Sequence, residues 1–184
     1  MGFGGLNLTI PLKEKALGIV KPDGLAREIG AVNTVSFGDG IWGHNTDGFG
    51  ALLALERAGV QVKGKHVLLI GAGGAAKAVA YTLAGEGAEI SIANRNHLRA
   101  LELAGKVGGQ GYGLEALPRL VPVAEVIINA TSVGMREGDP RLFPGELLNR
   151  SQIVFDVIYN RETDLLRDAA RAGARTLYLR SRPG

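Results

Sequence analysis

One stretch of the sequence decides the fold: Val67-Leu68-Leu69-Ile70-Gly71-Ala72-Gly73-Gly74-Ala75-Ala76. Its first four residues are uncharged and apolar, which is typical of a short strand buried on both faces of a parallel sheet. Glycines follow, and apolar residues then recur at helical spacing at Ala75, Ala78, Val79 and Leu83. The order of strand, glycine-rich turn and helix matches the G-x-G-x-x-[G/A] fingerprint of dinucleotide-binding proteins.

The small residues of this turn each have a physical role in binding a dinucleotide. Gly71 permits the tight turn, Gly73 lets the backbone approach a pyrophosphate, and Ala76 allows the helix to pack closely on the sheet. The first turn of the helix offers unpaired N–H groups to the anion. A plain glycine-rich turn is the competing interpretation, and the strand–turn–helix context favours nucleotide binding. We expect five consecutive residues to bind the cofactor: Gly71, Ala72, Gly73, Gly74 and Ala75.

The alternation of strands and helices continues toward the end of the sequence. Further apolar strands are predicted at residues 89–93, 125–129, 152–157 and 176–179, and helices at residues 98–107 and 163–172. The less regular residues 108–120 have room for one more short strand and helix. Apolar strands that alternate with helices predict a parallel sheet covered on both faces. The predicted class is therefore α/β, with a Rossmann-type doubly wound parallel sheet.

Residues 1–46 have a different character and contain few regular elements. Short extended pieces are predicted at residues 8–10 and 32–35, and one helical piece at residues 13–17. Segments below about 40–70 residues rarely form an independent core. A connecting helix is predicted at residues 48–59, with its N-terminal cap among Asn45-Thr46-Asp47. The expected division is a first part at 1–47, a connecting segment at 48–64 and a nucleotide-binding domain at 65–184.

The composition excludes several classes of protein. With 184 residues, 46% hydrophobic and 21% charged, the chain is globular and contains one domain, or one domain and part of another. It has no cysteine, which excludes a disulfide scaffold, a thiol nucleophile and cysteine-ligated metals. A net charge of +3 without a Lys/Arg run argues against nucleic acid as a partner. The three histidines are scattered, so no metal site is expected. No secretory signal or membrane span is predicted, and we expect a cytoplasmic protein.

The end of the second predicted strand indicates which dinucleotide is bound. An NAD-binding protein has Asp or Glu about 20 residues after the glycine turn, where it binds the ribose 2′-hydroxyl. This sequence instead has Asn94-Arg95-Asn96, followed by Arg99. A guanidinium group suits a 2′-phosphate by its charge and by its fork of donors. We therefore predict NADP(H), against the competing interpretation that both arginines are ordinary surface charges.

Several motifs together resemble the shikimate dehydrogenase family. Residues Gly2 to Lys13 are similar to the family segment G-F-x-G-x-N-V-T-I-P-x-K, with Leu8 in place of Val. The other similar segments are Ile29-Gly30-Ala31-Val32-Asn33-Thr34, Gly43-His44-Asn45-Thr46-Asp47-Gly48, the turn Gly71 to Ala76, Asn94-Arg95, and Asn129-Ala130-Thr131-Ser132-Val133-Gly134-Met135. Their order along the chain agrees with that of the family, and the resemblance extends to about Ala172.

The resemblance implies an activity and a set of site residues. Members of the family are oxidoreductases that reduce 3-dehydroshikimate to shikimate with NADPH, on the route to chorismate and the aromatic amino acids. By that resemblance Lys13 and Asp47 are the catalytic pair, while Thr9, Asn33 and Tyr159 bind or lie near the substrate. The implied cofactor contacts are a 2′-phosphate clamp of Asn94, Arg95 and Arg99, and a nicotinamide-side segment with Thr131 and Met135. Asp47 is also a candidate helix cap.

The sequence also departs from the family pattern. Relatives have a preceding region with a Ser-x-Ser loop for the substrate carboxylate, and C-terminal helices with a substrate-binding glutamine, so residues 1–47 correspond to a partial substrate-binding domain. The family's Tyr-Asn-Pro segment is here Tyr159-Asn160-Arg161. Three functions stay open: a shikimate dehydrogenase, an NADP(H)-binding relative without turnover, and a dehydrogenase of quinate or another polyol. The expected partner is a small-molecule substrate, in a monomer or homodimer. Exposed apolar side chains of Leu8, Ile10 and Val32 would favour aggregation or dimerisation.

Overall fold

A computed structural model describes residues 3–9 and 11–178. The strands are β1 Gly5–Asn7, β2 Lys21–Pro22, β3 Thr34–Phe37, β4 Ile41–His44, β5 His66–Ile70, β6 Glu89–Ala93, β7 Gln110–Tyr112, β8 Val126–Asn129, β9 Ile153–Asp156 and β10 Arg175–Tyr178. The helices are α1 Leu12–Lys15, α2 Gly24–Ile29, α3 Asp47–Arg57, α4 Gly74–Gly85, α5 His97–Val107, α6 Leu117–Leu120 and α7 Asp164–Arg171. None of the described helices has the length and hydropathy that a membrane crossing requires.

The larger sheet has six parallel strands in the order β10-β9-β8-β5-β6-β7. The chain runs outward from β5 to one edge, returns to pair β8 with β5, and then runs to the other edge, so the sheet is doubly wound. This arrangement confirms the predicted α/β class and its Rossmann-type sheet. The less regular residues 108–120 contain β7 and α6, as the sequence allowed.

Both faces of the larger sheet are buried, because its strands alternate between two apolar cores. Leu69 and Phe155 face one core together with helices α3, α4 and α5. Leu68 and Ile70 face the other core, which contains residues of α6 and α7. Leu68, Leu69 and Ile70 are all fully buried, which explains why this strand is an uninterrupted apolar run.

The smaller sheet has four strands in the order β1-β3-β4-β2. The strands β1, β3 and β4 pair antiparallel, and β2 pairs parallel with β4. The sequence analysis did not predict three elements of this part of the chain, β2, α2 and β4. They have two, six and four residues and show no clear apolar alternation or helical repeat. The helix α2 depends on local caps, since Asp23 Oδ1 accepts a hydrogen bond from Ala26 N at 2.7 Å and Gly30 ends the helix at a φ of 75°.

Two expectations for the first part of the chain are wrong in detail. The extended piece expected at residues 8–10 is displaced: the strand is β1, and Leu12 N bonds to Thr9 O, which already begins the turn into α1. Val32 is fully buried, because it packs with Ala16, Ala26 and Val35 in a small core of its own. Leu8 is half-buried, and Ile10 lies outside the described residues.

The two sheets are held together by close packing of α3 on α4. A Cβ atom at Gly48 would overlap Thr82 Oγ1 and the carbonyl oxygen of Ala78, both on α4. Only a residue without a side chain lets the first turn of α3 approach the backbone of α4 this closely. Two residues farther along α3, a Cβ placed on Gly50 would have no atom of the described part of the chain within 4 Å.

This difference between two glycines of one helix predicts opposite effects on stability. We expect Gly48→Ala to lower the free energy of unfolding by about 1–3 kcal/mol, because the added methyl group overpacks the contact. We expect Gly50→Ala to raise it by about 0.5–1 kcal/mol, because alanine has the higher helix propensity. Thermal unfolding followed by circular dichroism measures both variants. Equal changes in the two variants would contradict the proposed role of the α3–α4 contact.

Candidate functional site

A cleft of about 730 Å³ lies between the two sheets, at the carboxyl ends of β5, β6, β8 and β9. Loops at this edge of a doubly wound sheet form the usual ligand site. Most of the residues predicted from the sequence line the cleft: Thr9, Lys13, Asp47, Gly71, Ala72, Gly73, Gly74, Ala75, Asn94, Arg95, Thr131, Met135 and Tyr159. Asn33 and Arg99 do not line it. A groove of about 900 Å³ beside α7 contains none of the predicted site residues.

The glycine turn at the end of β5 has the geometry that an anion site requires. Gly71 has a φ of +118°, and a Cβ atom there would lie 2.9 Å from Ala130 O, so only glycine fits. Gly73 is the N-terminal cap residue of α4 in an extended conformation, and no side chain caps the helix. Among the described residues, no atom lies within 4 Å of a Cβ placed on Gly73. The first N–H groups of α4 are therefore open to a phosphate group.

The end of β6 brings a cation to the same cleft. Arg95 is exposed, and its guanidinium makes no ion pair with any residue in the described part of the chain. Asn94 precedes it and donates from Nδ2 to Asn96 O at 2.9 Å. Asn96 in turn caps α5, because its Oδ1 accepts from Arg99 N at 3.3 Å. Asp47 is the one acidic residue among the described residues that line the cleft, and it lies on the side of the smaller sheet.

Lys13 and Asp47 form an ion pair across the cleft wall. Lys13 Nζ lies 2.7 Å from Asp47 Oδ2, and the two side chains are 19% and 25% exposed. Asn33 Nδ2 donates to the other carboxylate oxygen, Asp47 Oδ1, at 2.7 Å. Asp47 is the first residue of α3, and Thr46 occupies the capping position without a side-chain cap bond. The carboxylate of Asp47 therefore serves Lys13 and Asn33, and the expectation that it also caps the helix is wrong.

Asn33 lies behind the ion pair, where its amide group is saturated by the protein. Its Oδ1 accepts from Thr46 N at 3.0 Å and from Thr34 Oγ1 at 2.9 Å, while its Nδ2 donates to Asp47. Only 8% of Asn33 is exposed. In this structure Asn33 orients Asp47 and the start of α3, and the substrate contact predicted for it remains a prediction.

Several residues to which the sequence analysis gave no role also line the cleft. The largest group follows β8 and β9 directly: Ala130, Ser132, Val133, Val157, Ile158 and Asn160. The general rule that ligands bind beyond the carboxyl ends of parallel strands would have pointed to them. Behind them lie two fully buried polar residues, Asn129 and Asp156. Burial raises the pKa of the Asp156 carboxyl group, against hydrogen bonds from Thr163, Ile158 and Asn129 that lower it.

None of the three histidines lines the cleft. His44 is held on the smaller sheet, with Nδ1 at 2.7 Å from Asp23 Oδ2 and Nε2 at 3.2 Å from Ser36 Oγ. Within residues 3–9 and 11–178, no group of three His, Cys, Asp or Glu side chains is arranged to hold a metal ion.

Two family models match this chain. The model described as "Shikimate / quinate 5-dehydrogenase" matches residues 52–135, and the model described as "Shikimate dehydrogenase substrate binding domain" matches residues 1–35. The shikimate dehydrogenase (NADP(+)) of Methanothrix thermoacetophila is 61% identical over 177 residues, covering 96% of this chain and 66% of that relative. The shikimate dehydrogenase of Methanosarcina mazei is 48% identical, covering 96% of this chain and 68% of that relative.

Solved structures agree with the sequence comparison. The Thermus thermophilus shikimate 5-dehydrogenase in complex with NADP(H) and shikimate superposes with a TM-score of 0.84 at 38% identity, covering 95% of this chain and 66% of that one. This chain thus spans about two thirds of the length of the proteins it matches and, by sequence and fold, belongs to the shikimate/quinate dehydrogenase family.

Proposed function

We propose that this chain binds NADP(H) and contributes the catalytic pair of an NADP-dependent shikimate dehydrogenase. The observation that carries the proposal is the position of Lys13 and Asp47 in the same cleft as the Gly71 turn and Arg95. A hydride donor bound on the turn and a carbonyl group beside Lys13 would meet in this cleft. The chain spans about two thirds of the length of its relatives, so their activity comes to it here as a proposal.

The residues present fit NADPH as the cofactor. Gly71 and Gly73 leave room for a pyrophosphate at the start of α4. Arg95, which makes no ion pair with any described residue, lies where an NAD-binding protein has an acid. NADPH, when bound, supplies the hydride for a ketone. Asn94 and Arg95 would hold the 2′-phosphate. Arg99 lies on the first turn of α5, outside the cleft lining, and its positive charge would attract the same phosphate from a greater distance.

Lys13 and Asp47 provide the charge and the proton that reduction of a ketone requires. A carbonyl oxygen that receives a hydride on its carbon becomes an alkoxide, and a neighbouring ammonium stabilises it or donates a proton. The carboxylate of Asp47 holds Lys13 Nζ at 2.7 Å and leaves its remaining N–H donors for the substrate oxygen. Asn33 keeps this carboxylate in place from behind. Thr9 and Tyr159 line the cleft nearby, where each offers a hydroxyl group to the substrate.

The same arrangement supports the proposed division of the chain. Residues 1–47 contain the smaller sheet, with Lys13 and the start of α3, and act as the substrate side. Residues 65–184 contain the larger sheet with the glycine turn, and act as the nucleotide side. Residues 48–64 connect them through α3, whose packing on α4 sets the distance between Asp47 and the turn.

The first prediction concerns the choice of cofactor. We expect Arg95→Ala to weaken NADPH binding at least about tenfold, because a charged hydrogen bond to the phosphate contributes about 1.5–3 kcal/mol. NADH binding should change little, because NADH has no 2′-phosphate. Fluorescence titration of the purified chain with each cofactor measures both affinities. Arg171→Ala, which removes a 73% exposed arginine beside the other groove, is the matched control. An equal loss for NADPH and NADH would contradict the 2′-phosphate contact.

The second prediction concerns turnover. We expect Lys13→Ala to lower kcat for shikimate oxidation with NADP by about 10²–10⁴-fold, the usual contribution of a positioned acid–base group. NADPH affinity should be unchanged, because Lys13 lies on α1, away from the glycine turn and Arg95. Lys15→Ala is the control, since Lys15 is an exposed lysine on the same short helix.

Three outcomes separate the candidate functions. Shikimate turnover that depends on Lys13 supports the dehydrogenase. NADPH binding without turnover of shikimate or quinate supports a binding protein of this family, and preference for quinate assigns the other substrate. Near-normal kcat in Lys13→Ala would show that the assigned role is wrong.

A further inference from the structure

A buried carboxylate lies at the end of β9, directly behind the cleft. Asp156 is fully buried, and no cation forms an ion pair with it within residues 3–9 and 11–178. Three donors take the place of a cation. Thr163 Oγ1 donates to Oδ2 at 2.7 Å, while Ile158 N at 3.0 Å and Asn129 Nδ2 at 3.1 Å donate to Oδ1. A buried charge of this kind is costly unless its hydrogen bonds are complete.

Each donor controls a different piece of backbone. Asn129 is fully buried, and its Oδ1 accepts from Thr131 N at 3.0 Å and from Thr131 Oγ1 at 2.7 Å. Its Nδ2 also donates to Val133 O at 3.1 Å, so one amide group holds the first residues of the loop after β8. Ile158 belongs to the loop after β9, and its N–H fixes that loop to the carboxylate.

Thr163 links the two loops to α7. Its hydroxyl group donates to Asp156 and also accepts from Leu166 N at 3.3 Å, which caps the helix. Its methyl group packs on Gly134, where a Cβ atom would lie 3.1 Å from Thr163 Cγ2. Gly134 has a φ of +103° and belongs to the loop after β8. The loop after β8, the loop after β9 and the start of α7 therefore converge on one carboxylate.

These two loops line one half of the cleft. A dinucleotide that places its pyrophosphate at the end of β5 and its 2′-phosphate near Arg95 extends its adenosine half over β6. Its other half must then lie over β8 and β9, which are on the opposite side of β5 in the sheet. Thr131, Val133 and Met135 from one loop, and residues 157–160 from the other, line that side of the cleft.

We propose that Asp156 is a positioning residue for the nicotinamide half of the cofactor, acting through Asn129 and Thr163. The proposal rests on the proposed binding of NADP(H). Both oxygens of Asp156 accept hydrogen bonds, so an amide at this position would present an N–H group to one of the existing donors. The loops would then lose their common anchor, while the β6 side of the cleft, with Asn94 and Arg95, would stay as it is.

The experiment compares two ligands and three variants. The ligands are NADPH and adenosine 2′,5′-bisphosphate, which contains only the adenosine half with its phosphates. The variants are Asp156→Asn, Thr163→Val and the conservative Thr163→Ser, which retains the hydroxyl group. Affinities are measured by calorimetry, NADPH fluorescence reports the immobilisation of its nicotinamide, and thermal unfolding confirms that each variant is folded.

We expect Asp156→Asn and Thr163→Val to weaken NADPH binding about three- to tenfold, the effect of one or two lost hydrogen bonds. Binding of the bisphosphate should be unchanged, and Thr163→Ser should bind NADPH like the original chain.

Two results would overturn the proposal. If Asp156 and Thr163 had a purely structural role, the variants would bind both ligands more weakly. Unchanged NADPH affinity in Thr163→Val would equally contradict it. If Asp156→Asn does not fold, the Thr163 pair decides the question. If the unaltered chain binds the bisphosphate but not NADPH, the proposal also fails, and if it binds neither ligand, the proposed function itself is wrong.

Discussion

The contact between α3 and α4 is the constraint on which the cleft depends. Asp47 is the first residue of α3, and the glycine turn leads directly into α4, so the packing of these two helices fixes the Lys13–Asp47 pair relative to the glycine turn. Gly48 makes the contact possible, because a side chain there would overlap the backbone of Ala78. A substitution that shifts the packing of α3 on α4 would displace one sheet relative to the other, whereas a substitution in a surface loop would displace only that loop.

Buried side chains that complete their hydrogen bonds within the protein give the cleft its finer shape. Asn33 holds Asp47 from behind on the smaller sheet. Asn129 and Asp156 hold the loops after β8 and β9 on the larger sheet. Within the described residues no buried side-chain polar atom lacks a partner. Because an unpaired buried polar group is costly, each of these networks favours one conformation of the loop that it supports. Residues that line the cleft are thus positioned by groups that do not line it.

The nucleotide side of the chain was predictable because its signals are local. A strand buried on both faces is an apolar run, a left-handed turn residue is a glycine, and a helix repeats its apolar positions. All three signals are present between Val67 and Leu83, and the structure contains β5, the turn and α4 there. The smaller sheet was not predictable in the same way. Its strand β4 includes Trp42 and Gly43, which show no clear alternation, and its pairing with β3 and β2 is decided by contacts distant in sequence.

By itself the sequence determined the doubly wound sheet, the glycine turn and the types of residue available for charge and proton transfer. It also placed Arg95 where a cofactor phosphate would lie, because that position is counted along the chain from the turn. Only the tertiary structure decided which side chains meet. Lys13 and Asp47 are 34 residues apart and become an ion pair through the packing of α1, β3 and α3. Asn33 and Arg99 were both predicted from the sequence as site residues, and yet they lie outside the cleft lining. A sequence pattern specifies residue types, whereas the direction of each side chain depends on its neighbours in space.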